Sequence, residues 1–156
     1  MADEEALFTH MQELLDRLPR MQRVGERVRL GRAAAEVAKA AARRDEARRA
    51  LGRLEESLAR TQGLLDAADA AGDARERDRL VRELLFLGDQ VGLARGPVND
   101  ALYHLGQALQ KGGFSDEAQA AAAALQPEEL ADLEARIASY QEDYNRTLAA
   151  CRACGQ

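Results

Sequence analysis

Apolar residues recur three and four positions apart along nearly the whole chain. That spacing lines one face of an α-helix, whereas a strand would alternate with a period of two. Leu7, Met11, Leu14, Leu15 and Leu18 mark the first such face, behind Asp3 as a helix cap and Glu4 and Glu5 in an acidic first turn. Pro19 carries no backbone donor and is expected to end or kink this helix, so the first element is predicted over residues 3–18.

A much longer helix is predicted over residues 20–70. Met21, Val24, Val28, Gly31, Ala35, Ala38 and Ala42 keep a heptad beat, and Ala47, Leu51, Leu54, Leu58, Thr61, Leu65 and Ala68 keep it again. The two seams are out of phase across residues 42–47, which calls for a stutter, a kink or a change of partner helix. If unbroken, the helix is roughly 75 Å long. Gly25, Gly52 and Gly63 lie inside it. Each costs on the order of 1 kcal/mol relative to Ala, and the close approach of a neighbouring helix is one reason to tolerate them.

Ala70-Ala71-Gly72-Asp73 is the strongest turn signal. Gly72 suits a left-handed helix end, and Asp73 with Glu76 resembles a capping box for the next helix. That helix, over 74–95, carries Leu80, Leu84, Leu87, Val91 and Ala94. Gly96-Pro97 is expected to interrupt it, and a further helix over 97–111 continues the stripe through Val98, Leu102, Leu105 and Leu109 to Gly112-Gly113. Ser115 is read as the cap of a short alanine-rich helix over 116–125. Pro127 opens a last helix over 127–154, with Leu130, Leu133, Ile137, Tyr140, Tyr144, Leu148 and Cys151 on its buried face and Gly155 at its end.

Short loops between long helices force them antiparallel. The expected fold is therefore all-α: a long, coiled-coil-like antiparallel hairpin about Gly72, with the first and last helices packed alongside as a helical bundle. The whole chain, 1–156, is read as a single helical domain. Composition agrees. Alanine and leucine dominate the apolar residues, aromatics are only 4%, and the sparse Val and Ile never cluster as a strand would need.

Charge adds a second layer. The net charge is -5, yet residues 1–16 carry -5, residues 17–60 carry +7 and residues 61–156 carry -7. A basic helix lying among acidic ones predicts charge pairing between neighbours. No run of 18 apolar residues occurs, and the start is acidic, so a transmembrane span and an export signal are not expected and the cytoplasm is the expected location.

Little of the usual equipment of an active site is present. His10 and His104 are the two histidines, Ser57, Ser115 and Ser139 the three serines, and no nucleophile-elbow, zinc-protease or phosphate-loop pattern occurs. A non-enzymatic role is the expectation. Cys151 and Cys154 form a Cys-x-x-Cys pair, half of a zinc or iron site, whose other ligands would come from a second chain or from His10 or His104. The pair closes a helix, the wrong end for lowering a thiol's pKa, and the plainer reading makes Cys151 part of the buried stripe.

Arg43, Arg44, Arg48 and Arg49 concentrate charge on the long helix. They could meet an anionic partner, nucleic acid or an acidic protein segment. No aromatic residue between Phe8 and Phe86 offers stacking, and a solvated face paired with acids explains them as well. Tyr140 and Tyr144, four apart, are either core residues with their hydroxyls at the rim or an exposed aromatic anchor. The long helices present more apolar length than the short ones can cover. The leading expectation is thus an adaptor, regulator or chaperone binding a protein partner through an apolar helical groove. The thin seam at Ala35, Ala38 and Ala42 would invite close packing, including with a second copy. A metal- or redox-responsive role for the cysteine pair and nucleic-acid binding by the arginine-rich helix are the alternatives.

Overall fold

The strong helix formers that fill the chain leave little room for anything else. The computed structural model describes residues 2–154, of which 93% are helical and none is in a strand. The helices are α1 (Ala2–Ala71), α2 (Ala74–Gly112), α3 (Glu117–Ala122) and α4 (Pro127–Cys154). The predicted stop at Gly155 lies outside the described residues. Among those residues no helix is long and apolar enough to cross a membrane. The chain divides into two compact units, residues 2–35 with 116–154 and residues 36–115, and α1 contributes to both.

Neither interior proline interrupts its helix, contrary to expectation. The predicted helices 3–18 and 20–70 are one element through Pro19, and 74–95 and 97–111 are one element through Pro97. The segment 3–18 therefore continues α1 instead of packing beside it. A proline deprives the carbonyl four residues earlier of its donor. Here those carbonyls belong to Leu15 and Leu93, both on exposed faces, as are Pro19 and Pro97 themselves. Water can serve an exposed orphan carbonyl, so the loss falls where it is least damaging.

In the unit formed by residues 36–115, the distal part of α1 and α2 make an antiparallel hairpin. Gly72, at φ +68°, turns the corner. Its N–H donates to the Asp69 carbonyl at 3.2 Å and the Asp73 N–H to the Ala68 carbonyl at 3.0 Å. This is a Schellman end, which glycine makes without steric penalty. Asp73 then caps α2 by accepting from the Glu76 N–H at 3.2 Å. The reciprocal half of the predicted capping box does not form, because the Glu76 carboxylate holds Arg79 at 2.5 and 3.0 Å. Asp69 and Arg77 bridge the turn at 3.0 Å. α2 ends in a second Schellman turn at Gly113, φ +74°, with Phe114 buried directly after it.

The predicted distal seam of α1 is observed, with Thr61 and Ala68 buried and Ala47, Leu51, Leu54, Leu58 and Leu65 half-buried. The proximal seam is not the predicted one. Val28 and Gly31 are buried, but the stripe continues through Ala34, Val37, Ala41 and Arg44, while Ala35, Ala38 and Ala42 are exposed. Successive three-residue steps each fall about 60° short of a full turn, so the burying face drifts round α1 without a break at 42–47. The division of α1 between the two compact units falls earlier, between Ala35 and Glu36.

In the other unit, α4 runs antiparallel to the proximal part of α1, as the order of contacts shows. His10 meets Asp143, Leu14 meets Tyr140, Arg27 meets Glu129 and Gly31 meets Leu125. Leu14 is fully buried, and the Tyr140 hydroxyl donates to its carbonyl at 2.6 Å. Gly31 is the glycine that close approach does require, since an added Cβ would lie 2.5 Å from Leu125 Cδ1. Gly25, Gly52 and Gly63 have nothing within 4 Å of that position, so crowding does not account for them. The predicted charge pairing is present: Arg27 binds Glu129, and Arg32 donates to Glu134 at 2.9 Å from Nε and 2.5 Å from Nη2. α3 is shorter than predicted and is capped by Asp116, not Ser115. The extended Asp116 accepts from the Gln119 N–H at 2.7 Å.

His10 Nε2 lies 3.1 Å from both carboxylate oxygens of Asp143, and its Nδ1 lies 3.6 Å from Glu13. The hydrogen bond to Asp143 raises the His10 pKa above its ordinary 6.5, with Glu13 assisting, and the same bond lowers the Asp143 pKa below 3.8. A raised histidine stabilises the fold fully below pH 6.5 and loses that contribution as pH climbs through its folded value; a lowered aspartate loses its own as pH falls below 3.8. The stability difference between wild type and His10→Ala is therefore expected to be greatest between pH 3.8 and 6.5 and to shrink at alkaline pH. Urea unfolding of both proteins across that range checks it, and a difference that grows above neutrality would refute the pairing.

Candidate functional site

α2 buries one stripe and leaves large apolar side chains on the others. Leu80, Val91, Ala101 and Leu105 are buried, with Leu84, Leu87, Ala94 and Val98 half-buried between them. Leu102, predicted in this stripe, is exposed, and Ala101 holds its place. Outside the stripe, Leu85 is 67% exposed, Phe86 62%, Leu93 71% and Tyr103 63%. The run Leu84-Leu85-Phe86-Leu87 explains part of this. At 3.6 residues per turn, four consecutive residues point in all directions, and a single neighbouring helix can cover only two of them.

These side chains are arranged in rows. Phe86 and Leu93, seven apart, share one side of α2. Val81 and Leu85 lead along another side into Gly88, Gly92 and Gly96, four apart, and on towards Tyr103 and Gly106. All four glycines are exposed, and an added Cβ on any of them would meet nothing within 4 Å. The Tyr103 hydroxyl accepts from Gln107 Nε2 at 2.7 Å, and its ring stands edge-on to His104 with centroids 5.7 Å apart. The result is a solvent-facing strip of leucine and aromatic side chains beside a shallow backbone surface.

The residues singled out from the sequence lie as follows. Arg43, Arg48 and Arg49 are exposed and, among the described residues, form no salt bridge. Arg44 is instead largely covered, its side chain 13% exposed, and its Nε donates to Asp45 at 2.9 Å. That hydrogen bond, with the nearby charges of Arg44, Arg49 and Arg48, holds the Asp45 carboxyl below its ordinary range. Ala35, Ala38 and Ala42 are exposed. Tyr140 is buried, with Tyr144 stacked on it at 6.3 Å between centroids and Arg17 on its ring, so this tyrosine packs within its own unit instead of standing out as an anchor.

Cys151 is half-buried and Cys154 exposed, both as free thiols. Among the described residues no three of His, Cys, Asp and Glu gather as a metal-ligand set. The exposed leucines and aromatics of α2 were missed from the sequence, although the four-residue apolar run signalled them. Compared with protein-family models, with curated proteins and with solved structures, the chain matches none.

Proposed function

We propose that the protein is a non-enzymatic helical interaction module, an adaptor, regulator or chaperone, that engages an amphipathic helix of a protein partner along the outer face of α2. The observation that carries this reading is the uncovered set Leu85, Phe86, Leu93 and Tyr103. Burying one such side chain is worth about 1.5–3 kcal/mol, and a helix carrying several exposed large apolar side chains is a candidate interaction site. Gly88, Gly92 and Gly96 support the same reading, because a strip without side chains lets a second helix approach closely. Leucine and aromatic anchors beside it supply the usual helix-in-groove contacts. The partner helix belongs to another protein or to a second copy of this chain. A cytoplasmic location belongs to the same proposal, and free thiols at Cys151 and Cys154 are in keeping with a reducing compartment.

The test is a Phe86→Glu/Leu93→Glu variant. Both side chains face solvent, so helicity and unfolding midpoint should stay near wild type. Light scattering and capture from native lysate should show wild type in complexes or oligomers larger than 17.0 kDa that the variant fails to form. A wild-type chain that is monomeric at high micromolar concentration and captures the same proteins as the variant would defeat the proposal.

A further inference from the structure

A groove of about 510 Å³ lies between the proximal part of α1 and α4, within one unit. Its size is in the range of small-molecule sites. Arg17 and Arg20 line it from α1, and Arg136 and Ser139 from α4, over an apolar floor that includes Met21 and Val24. Three arginines thus line one groove. Two arginines further along α1, Arg27 and Arg32, are tied to glutamates of α4. Arg17, Arg20 and Arg136 are not: among the described residues none of them forms a salt bridge. Arg17 rests on the Tyr140 ring, 5.7 Å from its centroid, which fixes the guanidinium at the edge of the groove. Asp143, the carboxylate that lines the groove, is already committed to His10.

Like charges on neighbouring side chains repel one another, and an anion bound between them turns that repulsion into attraction. Guanidinium forks match phosphate oxygens in pairs, and the Ser139 hydroxyl adds a donor at the same wall. Arg17 and Arg20 are one turn apart, roughly 4.5 Å along the helix, with Arg136 on the opposite wall. The geometry points to a binding site for a diphosphate group, inorganic or carried by a small organic molecule. The site is separate from the α2 surface and does not depend on the function proposed for it. A single strand of nucleic acid fits less well, because Tyr140, the aromatic residue at the groove, is buried and offers no face for a base.

Calorimetric titration at low ionic strength tests the site, with inorganic pyrophosphate and ADP as separate probes. Wild type should bind one or both at one molecule per chain. Arg20→Gln/Arg136→Gln, whose side chains make no salt bridge to lose, should keep wild-type helicity and bind about a hundredfold more weakly, since each of the two lost charged hydrogen bonds is worth roughly a factor of ten. Arg43→Gln/Arg49→Gln removes equal charge elsewhere and should bind within about twofold of wild type, as diffuse electrostatics predicts little for distant exposed charges. Binding of pyrophosphate identifies the phosphate alone as ligand, and binding of ADP alone identifies an organic carrier. Saturable binding of neither probe, equal weakening by both double variants, or displacement of the probe by a tighter-binding oligonucleotide would each overturn the assignment.

Discussion

Leu14→Ala is expected to lower the free energy of unfolding by about 2–5 kcal/mol, the span measured when a buried leucine is cut back to alanine. The size follows from its surroundings. Leu14 is completely enclosed in a protein whose core is otherwise thin, being rich in alanine and nearly without aromatics. Its backbone carbonyl is also held by the buried Tyr140 hydroxyl, so the surrounding structure has little freedom to relax. The adjacent Leu15 is the internal control. It has the same chemistry on the same helix but is 41% exposed, and Leu15→Ala should cost no more than about 1 kcal/mol. Urea unfolding of the two variants separates the cases. Equal losses would mean that the α1–α4 contact does not hold this unit together.

The helical class and the hairpin were legible because several local signals agreed. The heptad seam from Ala47 to Ala68, the left-handed glycine at position 72, the cap at Asp73 and the proline opening α4 all point the same way, and all are observed. The prolines were misread because the rule that a proline costs a helix its hydrogen bond says nothing about which way the orphaned carbonyl faces. Leu15 and Leu93 are exposed residues, a placement that local sequence does not reveal. The proximal seam was misplaced for another reason. Between residues 33 and 42 alanine is so frequent that a stripe can be drawn through Ala35, Ala38 and Ala42 or through Ala34, Val37 and Ala41. Val37 was the one side chain large enough to decide, and it is buried.

The candidate sites divide in the same way. The apolar run at 84–87 could be read locally, since an amphipathic helix with one neighbour cannot hide four adjacent apolar residues. The arginine groove could not. Arg20 and Arg136 become neighbours only once α4 has aligned against α1, and nothing in either segment alone announces the other. The arginines at 43, 44, 48 and 49 are conspicuous in the sequence, yet one of these four is largely covered while the others face solvent.

Gly88→Ala/Gly92→Ala/Gly96→Ala is expected to stabilise the free protein by about 2–3 kcal/mol, as each glycine in a helix interior is worth roughly 0.8–1 kcal/mol less than alanine. The gain should be nearly fully realised. All three positions are helical, have ordinary backbone angles and are open, so three methyl groups can be added without touching anything. Denaturant titration should move the midpoint upward with an unchanged slope. The same three methyl groups should act in the opposite sense on partner binding. A helix seated against this strip would be pushed outward, loosening its contacts with Leu85 and Tyr103, so the stabilised variant should associate more weakly than wild type. Those opposed effects are the pattern expected when stability has been given up at a working surface. A variant that gains stability and associates as before would show that the glycine strip has no part in binding, leaving Phe86 and Leu93 on the neighbouring side of α2 as the contact. A variant that loses stability would mean that these glycines are needed by the fold itself, against the open space recorded around each of them.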